Sequence, residues 1–322
     1  MIEYNNGIHL KGTELWFDSK KKAGLSFISS ANLDKFTPPE KIIATPETIK
    51  FLDKKIKKSV VLACPYYRPF ALGNLQVELV PSGHMPGSSQ MIVDKGDKTL
   101  VYTGDINLRK LPTTEPAYTN HCDVLVMKCA YGLPDYEFPP FEKSIEAVVN
   151  FINETQSSDS TPVIMAEPLG KAQDIIKALG EKGFKLSLHE SIYKATKIYE
   201  EFGIQFRDYE LFKPRDIEGK IVIIPPDKIG ANNIRNIKRK RAAIVTECAL
   251  EEKPAIKSAF NSDEVITLSN RAGYRELLEY VQLVNPKKVY LIEEHATEFA
   301  RALQERGYET IAFEKPAQLN LL

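Results

Sequence analysis

The stretch Ser82–Arg109, SGHMPGSSQMIVDKGDKTLVYTGDINLR, decides the fold of this chain. It places His84 in a loop of small residues and Asp105 at the end of an apolar strand. Glycines on both sides of the histidine suit a backbone that must turn tightly to aim an imidazole. The turn signal Lys95-Gly96-Asp97 lies between two apolar runs, so we expect an antiparallel hairpin here.

Outside this stretch, short apolar runs alternate with amphipathic helical patterns along almost the whole chain. The first third is dense in strands and turns, whereas the middle alternates strand and helix as βαβ units do. These patterns predict an α/β fold. The polar stretch Gln156–Thr161 and the basic stretch Asn236–Arg241 are the best boundary signals.

The composition of the 322 residues is that of a folded protein with ample core. The 43 Lys and Arg residues balance 43 Asp and Glu residues, which argues against a protein coated in positive charge. No window approaches the roughly 18 consecutive apolar residues that span a bilayer, and the start lacks a basic stretch followed by an apolar run. We therefore expect a cytoplasmic protein without membrane contact. The four cysteines are too widely spaced for a zinc knuckle and are expected to be reduced thiols.

The combination of GHMPGS and YTGD resembles the metallo-β-lactamase superfamily, in which such a His and Asp are metal ligands. Three further segments resemble its β-CASP branch, the nucleases of RNA 3′-end processing and DNA repair. They are CDVLVMKCAYG from Cys122, PLGKAQDIIKAL from Pro168 and LSNRAGYRELLEYVQLVNPKKVYLI from Leu268. The shorter members of the branch, including ligase-associated exonucleases, match this length best.

The resemblance implies an αββα sandwich with a small α/β lobe inserted into it. On this interpretation, residues 1–160 form the first part of the metallo-β-lactamase-like core. Residues 161–240 form the β-CASP-like lobe, and residues 241–322 form the second part of the core.

The resemblance also implies where catalytic positions would lie, and most of them have changed. The family's His-x-His-x-Asp-His run aligns with SFISSANLDKF, so its three histidines become Ser30, Asn32 and Lys35. The family's acidic residue at the end of a later strand becomes Lys128, and two further family histidines become Arg271 and Glu293. The positions of this remnant site are Asp18, Ser30, Asn32, Asp34, Lys35, His84, Asp105, Lys128, Arg271 and Glu293.

A two-zinc hydrolase needs several neutral imidazoles and a bridging carboxylate to hold both ions and activate the bridging water. Here one implied metal position keeps only His84 and Asp105, and the other keeps only Asp34 and Asp105. We therefore predict that the chain binds no metal or other cofactor and has no catalytic residue. The alternative is one divalent ion held by Asp34, His84 and Asp105.

Three of the replacements are cationic, and this suggests how the remaining carboxylates are neutralised. Lys35, Lys128 and Arg271 would bring positive charge to the place where the family holds metal ions. We expect Lys35 to lie within salt-bridge distance of Asp34, Asp105 or Glu293. Asp18 is expected to fix a loop, and His84, Asp34 and Asp105 have a purely structural interpretation as well.

The densest basic stretch, NIKRKR, offers a candidate nucleic-acid surface. Several Lys and Arg residues are enough to contact a phosphate backbone, although a charge run is more often a solvated face. Lys171 follows a strand and opens a helix, where a phosphate could also be received. The candidate nucleic-acid-binding residues are Lys171, Lys238, Arg239, Lys240 and Arg241.

These observations lead to three hypotheses about function. The first is a catalytically inactive β-CASP nuclease homologue that acts as a nucleic-acid-binding or regulatory subunit in RNA processing or DNA repair. Its partners would be RNA or DNA and a protein, with an active nuclease relative as the candidate. The second is a metal-dependent nuclease or other hydrolase that uses the reduced site of Asp34, His84 and Asp105. The third is a scaffold that contacts only proteins.

Overall fold

The computed structural model describes residues 1–5, 7–33 and 36–313. The chain divides into two compact units. The first unit contains Met1–Lys110, Thr114–Tyr136 and the chain from Arg271 onward, and the second contains Leu111–Thr113 and Glu137–Asn270. No helix among the described residues is long and apolar enough to span a membrane.

The first unit contains two β-sheets. The six strands of its first sheet follow chain order: β1 (Ile2–Tyr4), β2 (Ile8–Leu10), β3 (Leu15–Phe17), β4 (Leu25–Phe27), β5 (Lys41–Ala44) and β6 (Val60–Ala63). The other seven strands of the unit are β7 (Phe70–Leu72), β8 (Leu75–Pro81), β9 (Ser89–Asp94), β10 (Thr99–Tyr102), β11 (Val124–Lys128), β18 (Lys288–Ile292) and β19 (Glu309–Ala312). They pair in the order β19-β18-β11-β10-β9-β8-β7. The predicted hairpin is confirmed, because β9 and β10 pair antiparallel.

The two sheets of the first unit bury a shared apolar core. Phe17 and Phe27 from the first sheet lie in one cluster with Val93 and Val126 from the second sheet. The other face of the second sheet is covered by α7 (Tyr274–Val284) and α8 (Ala296–Gln304), through residues such as Phe299. The short helix α1 (Pro46–Leu52) is capped by the Thr45 hydroxyl, which accepts from Thr48 N. Two packed sheets with helices outside them confirm the predicted α/β sandwich.

The second unit is built on one parallel sheet of six strands. In chain order these are β12 (Thr161–Met165), β13 (Leu186–Leu188), β14 (Tyr209–Leu211), β15 (Ile221–Ile224), β16 (Lys240–Thr246) and β17 (Glu264–Thr267). Their order in the sheet is β14-β13-β15-β12-β16-β17. The helices are α2 (Phe141–Ser157), α3 (Lys171–Glu181), α4 (Glu190–Glu201), α5 (Asn232–Arg235) and α6 (Lys253–Ala259), with short 3₁₀ turns at Pro226–Lys228 and Leu250–Glu252. The βαβ character predicted for the middle of the chain is therefore confirmed.

The second unit differs from the predicted lobe of residues 161–240 in where it begins and ends. It begins at Glu137 because α2 packs its buried face, including Ile145 and Ile152, into the same core as Ile164. It ends at Asn270 because β16 and β17 continue the parallel sheet. The polar stretch before β12 is thus the end of a packed helix, and the compact unit begins ahead of it. The identification of this unit with a β-CASP lobe stays a prediction.

Candidate functional site

The ends of neighbouring parallel strands in the first unit place a set of charged side chains together. β10, β11 and β18 are parallel neighbours, so their carboxyl ends lie at the same edge of the sheet. Asp105 follows β10, Lys128 is the last residue of β11, and Glu293 follows β18. In the first sheet, Asp18 directly follows β3. One pocket is lined by all four of these residues and by Arg271.

Asp18 accepts three hydrogen bonds at this pocket. Its Oδ1 accepts from Ser29 N at 2.8 Å, and its Oδ2 accepts from Ser29 Oγ at 2.6 Å. The buried Tyr102 hydroxyl also donates to Oδ2, at 2.8 Å. Asp18 itself has φ +44°, a conformation that Asp tolerates better than most residues. The carboxylate thus ties the end of β3 to the loop that follows β4.

Lys128 provides the central positive charge of the pocket. Its Nζ lies 3.0 Å from Asp18 Oδ2 and 3.5 Å from Asp105 Oδ2, and its side chain is only 9% exposed. One ammonium is therefore shared by two carboxylates. Arg271 adds a second cation, with its Nε 3.4 Å from Asp105 Oδ1. The backbone carbonyl of Arg271 accepts from Arg109 Nη2 at 2.8 Å, which holds that loop in place.

The pKa values of these groups show that the charges support each other. Burial on its own raises the pKa of Asp105, but the Lys128 ammonium and the Arg271 guanidinium outweigh it and hold this pKa well below the usual range. Burial likewise lowers the pKa of Lys128, and Asp105 and Asp18 raise it well above its ordinary value. Burial and Asp18 raise the pKa of Tyr102. All three groups therefore keep the protonation states that their contacts require.

Glu293 and Lys20 form a second, more open ion pair at this pocket. Lys20 Nζ lies 3.7 Å from Glu293 Oε1. Glu293 has φ +84°, so the chain turns sharply directly after β18. A surface pair of this kind contributes little stability, about 0–1 kcal/mol. It does place a further cation beside the carboxylates.

His84 lies in a loop whose shape depends on two glycines. A Cβ on Gly83 would lie 2.1 Å from the carbonyl oxygen of Asn107, and one on Gly87 would lie 2.4 Å from Glu47 Cβ. Both glycines also have positive φ, so no other residue fits without strain. The His84 ring is completely buried, with Nε2 3.5 Å from Asn32 Nδ2.

Of the other predicted remnant positions, the structure describes Ser30 and does not describe Asp34 and Lys35. Ser30 is buried, and its Oγ accepts from Asn32 N at 3.0 Å. Asp34 and Lys35 lie outside the described residues, and so does the ion pair predicted for Lys35. The charge compensation that we expected from Lys35 is provided, among the described residues, by Lys128 and Arg271.

The described donors of this pocket do not form a complete ligand set for the metal ions that the family resemblance implies. Among residues 1–5, 7–33 and 36–313, no group of three or more His, Cys, Asp or Glu side chains is placed to hold a metal ion. The two carboxylates that meet here, Asp18 and Asp105, do so around an ammonium, and a nearby cation disfavours a dication. The described residues of the pocket hold charged groups in a fixed arrangement, and the His84 imidazole is close enough to act electrostatically on Asp105.

Lys171, which we predicted to contact phosphate, has a different environment in the second unit. It is the first residue of α3, its side chain is completely buried, and its ammonium forms an ion pair with the nearly buried carboxylate of Glu247. Glu167 Oε2 lies 3.8 Å from the same Nζ. An ammonium without exposed surface does not reach a phosphate backbone. Lys171 is thus an internal ion-pair residue in this structure, and its contact with phosphate stays a prediction.

The basic stretch before and in β16 is only partly available for binding. Lys238 and Arg239 are exposed, and Arg239 forms a surface ion pair with Asp159 at 2.6 Å. Lys240 Nζ donates to the Arg235 carbonyl at 3.0 Å. Arg241 lies over the Phe151 ring, 5.3 Å from its centroid. The exposed pair Lys238 and Arg239 is therefore the accessible part of this cluster.

Sequence reasoning missed four residues that complete these sites. Ser29 and Tyr102 hold Asp18, and Lys20 pairs with Glu293. Tyr102 lies within the YTGD motif, so strand alternation at the end of β10 could have identified it as inward-facing. Glu247, the partner of Lys171, has no such local signal because it lies 76 positions away in sequence.

The chain is similar in sequence to several known proteins, although it matches no family model. No protein-family model matches the chain. It is 32% identical over 323 residues to a probable DNA ligase of Opitutus terrae, a match that covers 99% of this chain and 32% of that protein. It is 30% identical over 127 residues to RNase aCSPSF2 of Saccharolobus solfataricus, covering 38% of this chain and 25% of that protein. The RNase J-like protein of Methanocaldococcus jannaschii is 31% identical over 106 residues, covering 32% and 25% respectively.

The chain spans about a third of the length of the Opitutus relative, and the other two matches each cover 25% of the relative. Among solved structures, the fold is similar to that of a protein of unknown function from Enterococcus faecalis V583, with a TM-score of 0.59 and 15% identity. That alignment covers 91% of this chain and 79% of the other, and it supports the fold alone.

Proposed function

We propose that this chain, which belongs to the β-CASP branch of the metallo-β-lactamase superfamily, binds nucleic acid without cleaving it and serves as a non-catalytic or regulatory subunit. The observation that carries the proposal is the position of the Lys128 ammonium, 3.0 Å from Asp18 and 3.5 Å from Asp105. A protein cation stands between carboxylates where the family resemblance implies metal ions.

The chemical consequence follows from what an ammonium can and cannot do. It neutralises two carboxylates, so the fold tolerates them in a buried position. An ammonium has no coordination position for a water molecule. It therefore cannot lower the pKa of a bound water towards 7, as a metal ion does. Asp105, held ionised by Lys128 and Arg271, is occupied by these contacts. The described residues of the pocket therefore supply no activated nucleophile.

The nucleic-acid part of the proposal is supported by the relatives. Two of them are named as RNases and one as a probable DNA ligase. The match to the ligase covers nearly the whole chain, whereas the matches to the RNases cover 38% and 32% of it. DNA is therefore the favoured ligand. The exposed side chains of Lys238 and Arg239 are the proposed phosphate contacts.

A protein partner is the second part of the proposal. In the Opitutus relative, the segment similar to this chain makes up 32% of a longer protein. This supports a role beside another enzyme that acts on nucleic acid, and an active nuclease relative is the preferred partner. A scaffold that contacts only proteins would show no affinity for DNA or RNA.

One experiment tests binding and catalysis together. The protein is purified without chelator, its metal content is measured by elemental analysis, and its binding to labelled DNA and RNA is followed with and without EDTA. We expect substoichiometric metal, binding that EDTA does not change, and intact substrate. About one chelatable ion per chain together with EDTA-sensitive cleavage would instead establish the alternative hydrolase, for which Asp34, His84 and Asp105 are the candidate ligands.

A further inference from the structure

Two exposed tyrosines of the first unit form a corner on its surface. They do not line the pocket of Asp18, Asp105, Lys128, Arg271 and Glu293, which we call the Lys128 pocket. Tyr67 and Tyr118 are 51% and 42% exposed. Their ring centroids are 5.8 Å apart and the rings stand at 77° to each other, so they form two walls of a corner. Tyr66 lies behind them, with its centroid 6.2 Å from that of Tyr67. We call Tyr66, Tyr67 and Tyr118 the tyrosine cluster.

The tyrosine cluster is fixed by hydrogen bonds to the second sheet and its loops. The Tyr66 hydroxyl donates to the Ser88 carbonyl at 2.7 Å. Tyr67 N donates to Leu79 O, and Tyr118 N donates to Pro81 O, both at 3.0 Å. Rings whose backbone is already fixed lose little conformational entropy when they bind a partner. The corner is therefore preorganised.

The backbone of Tyr67 is in an unfavourable conformation for its residue type. Its φ is +58°, in the left-handed region that glycine and asparagine adopt most readily. Strain of this kind persists at positions where the surrounding structure determines the conformation, and such positions cluster at binding sites. The ring of Tyr67 gains little from burial, since half of its surface is exposed. Core packing therefore does not explain a tyrosine here.

Carboxylates from three separate segments act electrostatically on the tyrosine cluster, and the hydrogen bond from Tyr67 N to Leu79 O places one of them, Glu78, next to the residue that Tyr67 contacts. Burial raises the pKa of Tyr67, and the carboxylates of Glu115 and Glu78 raise it further. Burial also raises the pKa of Tyr66, with Glu47 and Glu115 adding to the shift. Glu115 is exposed, and Glu47 and Glu78 are half-buried. The corner thus combines aromatic faces with negative charge that acts on both Tyr66 and Tyr67.

We propose that the corner of Tyr67 and Tyr118, flanked by Glu78 and Glu115, binds an Arg or Lys side chain from a basic segment of a protein partner. Ring faces attract a cation through their quadrupole, and nearby carboxylates strengthen that attraction. The same carboxylates repel a phosphate backbone, so stacking of single-stranded nucleic acid on these rings is disfavoured. The inference goes beyond the nucleic-acid-binding function and does not depend on Lys128.

The test uses fluorescence anisotropy with defined probes on the full chain. The probes are a labelled peptide of alternating Arg and Gly, a matched peptide of alternating Glu and Gly, and labelled oligothymidylate. We expect Tyr118→Ala to weaken binding of the Arg peptide by about tenfold, because one wall of the corner is lost. Tyr118→Phe keeps the ring and should bind as the wild type does. Glu115→Gln should weaken binding several-fold.

Leu250 and Glu251 provide a matched control, since they are an exposed apolar and an exposed acidic side chain of the second unit. The double variant Leu250→Ala with Glu251→Gln should leave the affinity for the Arg peptide unchanged. The proposal is overturned if Tyr118→Ala and Glu115→Gln bind the Arg peptide as the control does. It is also overturned if Tyr118→Ala weakens oligothymidylate binding and leaves the peptide unaffected, because the rings would then be a base-stacking platform.

Discussion

Lys128 in the first unit and Lys171 in the second unit are both buried lysines, but their surroundings differ. Lys128 lines a pocket and is shared by Asp18 and Asp105, while Arg271 supports Asp105 from another direction. Lys171 has no exposed surface and depends on Glu247, with Glu167 more distant. Lys128 departs from the family's motif, whereas Lys171 stands in the segment that keeps it. The contacts of each lysine are therefore set by its burial and by the number of its ion-pair partners. Whether its position agrees with the family's motif does not predict these contacts.

The largest effect should come from removing the partner of Lys171. Glu247→Gln leaves a fully buried ammonium without its carboxylate, and breaking a buried pair costs about 3–5 kcal/mol. Urea unfolding of the second unit should show this loss. The double variant Lys171→Met with Glu247→Leu removes both charges and should recover most of the stability. If Glu247→Gln unfolds at the urea concentration of the wild type, Lys171 is not held as the structure shows.

Asp174 in the second unit and Asp105 in the first unit have pKa values shifted in opposite directions, and this sharpens the comparison through pH. Burial raises the pKa of Asp174 in the second unit to about 7, although the Thr113 hydroxyl donates to it at 2.7 Å and lowers this pKa. A folded-state pKa above the unfolded value gives stability that is complete below about pH 4 and is lost as the pH rises to about 7. Asp105 has the opposite sign: its lowered pKa gives stability above about pH 4 that is lost in acid.

We therefore expect the second unit to lose about 3 kcal/mol between pH 4 and pH 7 through Asp174. Asp174→Asn should remove this loss, so the variant should gain stability relative to the wild type as the pH rises. Denaturant unfolding at a series of pH values measures the difference. Parallel pH profiles for the two proteins would show that Asp174 titrates normally.

Local patterns in the sequence were sufficient for the elements but not for these charge networks. The hairpin of β9 and β10 and the parallel strands of the second unit follow from periodicity and turn residues that lie within a few positions of each other. The partner of Lys171 could not be predicted, because Glu247 is brought to it by the pairing of β12 with β16. For a similar reason, loop composition did not indicate that the second compact unit begins ahead of residue 161, since the packing of α2 is a tertiary contact.

In the Lys128 pocket the sequence indicated which charges are present but not how they pair. Family alignment placed Lys128 and Arg271 in one cleft with Asp105, and the structure brings these three residues together. The alignment did not indicate that Asp18 would share the Lys128 ammonium or that the Tyr102 hydroxyl would donate to Asp18. Those contacts depend on side-chain reach between two sheets, and alignment of motifs contains no such information.

Replacing Lys128 should be less damaging than replacing Glu247. In Lys128→Met, Asp105 keeps Arg271, and Asp18 keeps the three hydrogen bonds from Ser29 and Tyr102. We expect a loss of about 2 kcal/mol, below the usual range for a broken buried pair. The melting temperature of Lys128→Met is compared with that of Lys20→Met. Lys20→Met removes only the open pair with Glu293 and should cost under about 1 kcal/mol. Equal melting temperatures for these two variants would contradict a buried role for Lys128.

The smallest effect on stability, and a direct one on binding, should come from the exposed basic residues. Lys238→Ala with Arg239→Ala removes two surface charges, and Arg239 loses only its exposed pair with Asp159. Stability should therefore change by less than about 1 kcal/mol.

If both residues contact phosphate, the affinity of this double variant for DNA should fall alike for all sequences, and the slope of log affinity against log salt should flatten by roughly one unit per contact. Lys54→Ala with Lys55→Ala, which removes two exposed lysines of the first unit, is the matched control and should keep the wild-type slope. A slope that is unchanged in Lys238→Ala with Arg239→Ala but flatter in this control would place the DNA-binding surface on the first unit.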